Sequence, residues 1–215
     1  MTDAPGSPAL LLASPALLLD SAVQTASWTG VVLVLLAGLV GALLAMRLRR
    51  PQLAWIAIGA GVAAFLLTAI AGAAAPPVHA VLVTVLAFAL AVLGGGPVVL
   101  LTLDLATADS RSGSHGGIMV AASQRTTGGL PTAIGQPIEV LRGGTTIGIL
   151  ERIATAGALL SGVPEGVAVV VAIKGVGRFS ELASAEARER FIIGTLASLA
   201  WSAALGILAR LFLTG

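Results

Sequence analysis

Two oppositely charged residues, Glu151 and Lys174, stand inside otherwise apolar runs, GTTIGILERIATAGALLS and PEGVAVVVAIKGVGRF. If the intervening SGVPEG is a turn centred between positions 162 and 163, the two are equidistant from it, as are Gly148 and Gly177. In an antiparallel helical hairpin, equal distance from the tip means equal depth. Residues 148, 151 and 155 share one helical face, and 170, 174 and 177 share another. The spacing therefore predicts a carboxylate meeting an ammonium roughly 17 Å from the tip, with Gly148 and Gly177 letting the legs touch. Arg142, Arg152 and Arg178 fall at or just below that depth. A buried ion pair collared by arginines suits an anion: a phosphate, a lipid head group or a translocated ion. The plainer reading makes Glu151 and Lys174 a staple and lets the arginines snorkel to head groups. The residues leave both readings open.

The element that must carry these charges is set by composition. Of 215 residues, 57% are hydrophobic and 10% charged, against about 25% charged in a soluble domain. With a mean hydropathy of +1.01, a water-soluble globule is excluded, and several apolar runs of membrane length point to an all-α polytopic bundle. The sequence pI of 10.4 overstates basicity, because net charge is only +2 and the chain has no Cys and no Tyr to titrate. Without Cys there are no disulfides and no thiolate chemistry.

Read along the chain, residues 1–27 lack Lys and Arg and are expected to be a flexible or interfacial leader, interrupted by Pro15. A three-helix membrane segment follows over 28–103. Its first span, 28–46, ends in RLRRP, a cytoplasmic marker; its second is 53–75. The third, 78–93, is expected to break at the Gly-rich GGGP of 94–97 and to continue as a short interfacial helix. Residues 104–145 form a Gly-rich cytoplasmic loop, in which GIMVAAS and PIEVLR either pair as a small hairpin or stay disordered. The hairpin and a final span make up 146–215, with legs over 145–161 and 164–179 and the last helix over 191–213. Charge counting favours the hairpin over a single long span there. It puts eleven Lys and Arg on the cytoplasmic side and leaves Arg210 alone outside, against eight and four for one span. The expectation is six membrane helices, both termini outside, arranged three and three about the loop, the layout of an inverted repeat.

Gly194, Ser198, Ser202 and Gly206 recur every four residues on the last helix. Such a ladder permits close helix approach, either within the chain or in a homo-oligomer or with another membrane protein. Glu186 and Arg190, at i and i+4, read as a solvated helical turn. The chain contains no GxxxxGK[ST], GxGxxG or HExxH, so no cofactor is expected. His79 and His115 have no second ligand at metal spacing and read as surface residues, and Asp104 and Asp109 do not share a helical face, so no metal is expected either. Few aromatics argue against a nucleic-acid partner, leaving the bilayer and its anionic lipids.

The motifs GGGPVV, LRGGTTIGILER, PEGVAVVVAIKGVGRFSEL and ERFIIGTLASLAW resemble a family of bacterial integral membrane proteins of unknown function. The resemblance covers about half the chain, from 94 to 202 without the polar loop. It implies a multi-pass protein of the bacterial inner membrane, and Gly148, Glu151, Arg152, Lys174, Arg178 and Phe179 fall on its motifs. It carries no activity. Three functions stay in play: a non-enzymatic scaffold or complex partner, a small transporter or channel for an anionic or lipid-like substrate, and an enzyme acting on a lipid head-group phosphate.

Overall fold

A computed structural model describes the backbone of residues 15–72, 74–106, 119–120, 138–139, 144–178 and 185–214. Six α-helices follow in order: α1 Pro15–Leu48, α2 Ala54–Ala71, α3 Pro77–Ala106, α4 Gly144–Ser161, α5 Glu165–Arg178 and α6 Ala185–Thr214. A short 3₁₀ turn, Pro51–Leu53, leads into α2. Four of these stretches, Leu19–Leu48, Pro51–Ala71, Pro77–Ala106 and Ala185–Thr214, are long and apolar enough to cross a bilayer, the mark of a multi-pass membrane protein. The expected count of six spans is not met by length and apolarity. At 1.5 Å per residue α4 and α5 reach about 27 and 21 Å, short of a hydrocarbon core of about 30 Å, and α4 carries Glu151 and Arg152 at its middle.

The helix α1 begins at Pro15, so the segment read as a leader is helical from there on; residues 1–14 lie outside the described residues. Proline suits the first turn of a helix, where its missing N–H would have no partner. The polar residues that follow are carried without breaking the helix. The hydroxyls of Thr25, Ser27 and Thr29 donate back to the carbonyls of Ser21, Val23 and Thr25 at 2.8, 2.9 and 2.8 Å.

The second departure is at GGGP, where α3 runs unbroken through 94–97. Pro97 removes the N–H that would bond the Leu93 carbonyl. In apolar surroundings, though, ending the helix would strand several more backbone groups. Two of the three glycines are filled by neighbours instead, and Gly96 faces open space. A Cβ on Gly94 would stand 3.0 Å from Trp201 Cζ2, and one on Gly95 would overlap the Arg152 side chain. Both intruders donate to the preceding turn: Trp201 Nε1 to the Leu90 carbonyl at 3.1 Å and Arg152 Nε to the Val92 carbonyl at 2.7 Å.

Helix α3 is the central element, packing on α1, α2, α4 and α6. Leu90 on α3 joins Val31 and Leu35 of α1 and Leu205 and Leu208 of α6 in one fully buried core. At one end of the bundle Trp28 Nε1 donates to the Gly72 carbonyl at 3.2 Å, and at the other Ala54 packs against Val98 and Leu101. In the polar loop, the backbones of Met119–Val120 and Ile138–Glu139 pair antiparallel, within the two pieces picked out above; the rest of the loop lies outside the described residues.

The turn between α4 and α5 follows from three residues. Gly162 takes φ +77°, its N–H bonds the Leu159 carbonyl at 3.1 Å, and the next N–H, of Val163, bonds Ala158 at 2.8 Å. This is the glycine-dependent helix end that satisfies two terminal carbonyls. Pro164 then bars continuation, and Glu165 sits in the first turn of α5, at its positive end. A Cβ on Gly162 would also overlap the Arg210 guanidinium of α6. Gly162→Ala therefore meets both a left-handed backbone and an occupied site. A loss of at least about 1–2 kcal/mol is expected, read as a lower unfolding midpoint in detergent, whereas Ser161→Ala beside it should change little.

Candidate functional site: the charged hairpin

Helices α4 and α5 run antiparallel about the Gly162 turn, and Lys174 Nζ donates to Glu151 Oε2. The pair is largely enclosed, with 12% of the Glu151 side chain and 17% of the Lys174 side chain exposed. Lys174 also stands 5.6 Å from the centroid of the Phe191 ring on α6, so one ammonium links three helices through an ion pair and a cation–π contact. Outward of the pair, Ile147, Leu150, Ala154, Val170 and Ile173 line an open, mainly apolar groove of about 400 Å³ between the legs.

Gly148 does something other than expected. A Cβ on Gly148 would lie 3.1 Å from Arg152 Nη1, so Gly148 makes room for an arginine of its own helix rather than for α5. The legs come closest nearer the tip, where a Cβ on Gly166 would stand 2.9 Å from that of Ala158. Gly177 lies in α5, but its surroundings, the side chain of Arg178 and all of Arg142 fall outside the described residues. Of the three collar arginines, only Arg152 can be followed. It is not at the surface: 6% exposed, it lies over Gly95 with Nε on the Val92 carbonyl. Adjacent charges thus face opposite ways, Glu151 toward α5 and Arg152 toward α3.

The four-residue ladder on α6 is used within the chain. Gly194 lies against Val99 and Leu103 of α3; Ser198 and Ser202 are buried; Gly206 meets the backbone of Ala156, at 2.9 Å from its carbonyl oxygen to the position of a Cβ. The ladder therefore rotates from α3 to α4 as α6 ascends. Ser202 Oγ is satisfied by the carbonyls of Ser198 at 2.8 Å and Leu199 at 3.2 Å. Thr155 Oγ1 and Ser198 Oγ are buried with no hydrogen-bond partner.

Two residues depart from the solvated roles expected of them. Arg190 is only 3% exposed, with Nε and Nη1 unpartnered, while Glu186 beside it is exposed, so the i, i+4 pattern does not mark a solvated turn here. His79 is half-buried, its Nε2 3.3 Å from Thr29 Oγ1 and its ring 6.4 Å from that of Trp28. Its spacing from α1 in sequence gave no hint of either contact. The seat of Arg152 on Gly95 was equally hidden, since no local periodicity relates positions 57 apart. Among the described residues, no three His, Asp or Glu side chains are grouped to hold a metal.

Removing one partner of the hairpin pair leaves a charge without its counterpart, which costs up to about 3–5 kcal/mol for a fully buried pair. Glu151→Gln and Lys174→Gln should each lower the thermal midpoint in detergent, by less than that limit because the pair is partly exposed. The exchange of Glu151→Lys with Lys174→Glu should recover most of the loss, but not all, since the ammonium over Phe191 is forfeited. Wild-type stability in all three variants would mean that the contact contributes nothing.

No protein-family model, no curated protein and no solved structure matches the chain, so any functional reading rests on the geometry of its own residues.

Proposed function

We propose that the chain is a non-enzymatic scaffold of the bacterial inner membrane, built around a membrane-embedded hairpin. The observation that carries this reading is where the hairpin charges go: Glu151 and Lys174 join α4 to α5 and α6, and Arg152 joins α4 to α3. These three charged side chains are engaged in holding helices together. The hairpin also leaves an apolar helix at the rim, with Val169, Ile173 and Val176 of α5 exposed, Val176 to 83%. In a bilayer that face meets acyl chains at no cost.

The same reading orients the chain. Arg47, Arg49, Arg50, Arg188 and Arg190 belong to helix ends gathered at one end of the bundle, where Ala54 packs against Leu101. Arg210 stands at the other end, beside the hairpin tip. The positive-inside bias then favours a cytoplasmic basic end, with the hairpin entering and leaving from that side and both termini outside. Arg178, which ends α5, and Arg142, two positions before α4 in the sequence, suit anionic lipid, each basic residue contributing on the order of 1 kcal/mol near the surface. A second reading, a small transporter, is favoured by one observation, the open groove with the Glu151 and Lys174 pair along its wall.

Flux separates the two. Purified protein in liposomes is expected to release no more trapped chloride or phosphate than empty liposomes do; efflux that Glu151→Gln abolishes would replace the scaffold by the transporter. For topology, a cysteine introduced at Ser184, in a chain with no Cys of its own, should resist impermeant maleimide added outside intact cells. Labelling from outside would overturn the orientation. In native mass spectrometry, anionic lipid should be retained over neutral lipid, and Arg178→Ala should narrow the difference.

A further inference from the structure

The open groove of about 400 Å³ between the hairpin legs is lined by residues of α4 and α5 alone. Leu150 and Ile173 in its walls are 60% and 68% exposed, so among the described residues no third helix closes it. In a membrane-embedded hairpin such an opening meets lipid. The walls carry one polar feature, the ion pair of Glu151 and Lys174, and that pair is not saturated. Lys174 has three N–H donors and a carboxylate about four acceptor positions, while the bond between them uses one of each. The remainder can take a further partner from the groove.

Depth sets which part of a lipid the pair meets. Lys174 lies four residues, about 6 Å, before the end of α5 at Arg178, and the head-group region is about 5–7 Å deep on each side of a bilayer. With the base of the hairpin at the membrane surface, the pair stands where head groups give way to acyl chains. Toward the tip the groove reaches Ala154 and Val170, and beyond them the legs close with Gly166 against Ala158. Charge then selects the head group. The pair is neutral as a whole, so a group of one sign is attracted by one partner and repelled by the other. A group with both signs a few bonds apart lies antiparallel to it, phosphate toward Lys174 and ammonium toward Glu151. Both contacts are charge-assisted hydrogen bonds only where the ammonium carries N–H.

We infer that the groove is a binding site for one phospholipid with an aminoethyl phosphate head group, phosphatidylethanolamine. Its phosphate accepts from Lys174, its ammonium donates to Glu151, and the start of an acyl chain lies on Leu150, Ala154, Val170 and Ile173. The site depends on a membrane-embedded hairpin and not on the choice between scaffold and transporter, which flux decides. It is also separate from the attraction of basic helix ends for anionic lipid, because it discriminates between lipids of zero net charge.

The test is native mass spectrometry of the purified full chain in detergent with an equimolar mixture of phosphatidylethanolamine and phosphatidylcholine of the same acyl chains. Phosphatidylcholine has the same phosphate and the same net charge, but its ammonium bears no N–H. The first lipid bound is expected to be phosphatidylethanolamine by about tenfold, the effect of one charge-assisted hydrogen bond. Leu150→Trp, which fills the groove from an exposed position, should remove the preference. Val176→Trp, on the exposed face of α5 outside the groove, should keep it. Glu151→Gln should level the two lipids as well; if that variant does not fold, Leu150→Trp decides alone. Equal retention of the two lipids by the wild type overturns the site. So does a preference that Leu150→Trp leaves unchanged, which would place the lipid elsewhere. A dimer that Leu150→Trp splits would make a second copy the occupant and overturn it too.

Discussion

A polar group that leaves water inside an apolar bundle needs a partner supplied by the protein, and in this chain that requirement decides which helices sit beside which. Arg152 is the clearest case. Its aliphatic stem needs a channel, its Nε–H needs an acceptor, and α3 supplies both within one turn: Gly95, whose missing side chain leaves the channel, and the Val92 carbonyl. The registers of α3 against α4 and of α6 against α3 follow from the same demand. Trp201 repeats the arrangement one residue away, its ring on Gly94 and its indole N–H on the Leu90 carbonyl. The stretch that reads as a helix breaker is where two other helices plug in.

Much of the hairpin was legible because its geometry is local. Legs of similar length about a Gly-Val-Pro turn make depth a matter of counting, and counting brings Glu151 opposite Lys174. The turn itself falls where the count centres it, and there the structure places a left-handed Gly162 before Pro164. What could not be read was anything requiring an azimuth. Position 148 was matched with 177 by depth, yet in the structure the space at Gly148 belongs to Arg152. Depth follows from residue number, but the direction in which a face looks depends on which third helix stands beside the pair, and that is a property of the whole bundle.

The same distinction bears on the start of α1 and on Arg190 in α6. The stretch before Trp28 reads as a flexible or interfacial leader because it lacks Lys and Arg and contains Pro15; back-bonded hydroxyls carry Thr25 within it and Thr29 just beyond it in helix. Arg190 looked solvated because it stands four residues after Glu186, a pattern that is satisfied equally by a helix whose other side is covered. Composition and spacing report what a residue prefers in isolation. Tertiary contacts decide which preference is met.

The α4–α5 hairpin also shows how a short element is held in a membrane bundle. Alone, α5 has little to bury: its contacts are chiefly with α4, and its outer valines stay exposed. Apolar contact cannot secure it, since acyl chains match valine as well as another helix does. Its position therefore rests on directional contacts at its two ends. At the tip, Gly166 allows close approach to Ala158, and the turn lies under Arg210, a cation beside the negative end of α4. At the base, Lys174 reaches both Glu151 and the Phe191 ring. A lone lysine in the chain, placed where one ammonium can engage a carboxylate and an aromatic face together, supplies an orientation that no number of valines on a lipid-facing helix provides.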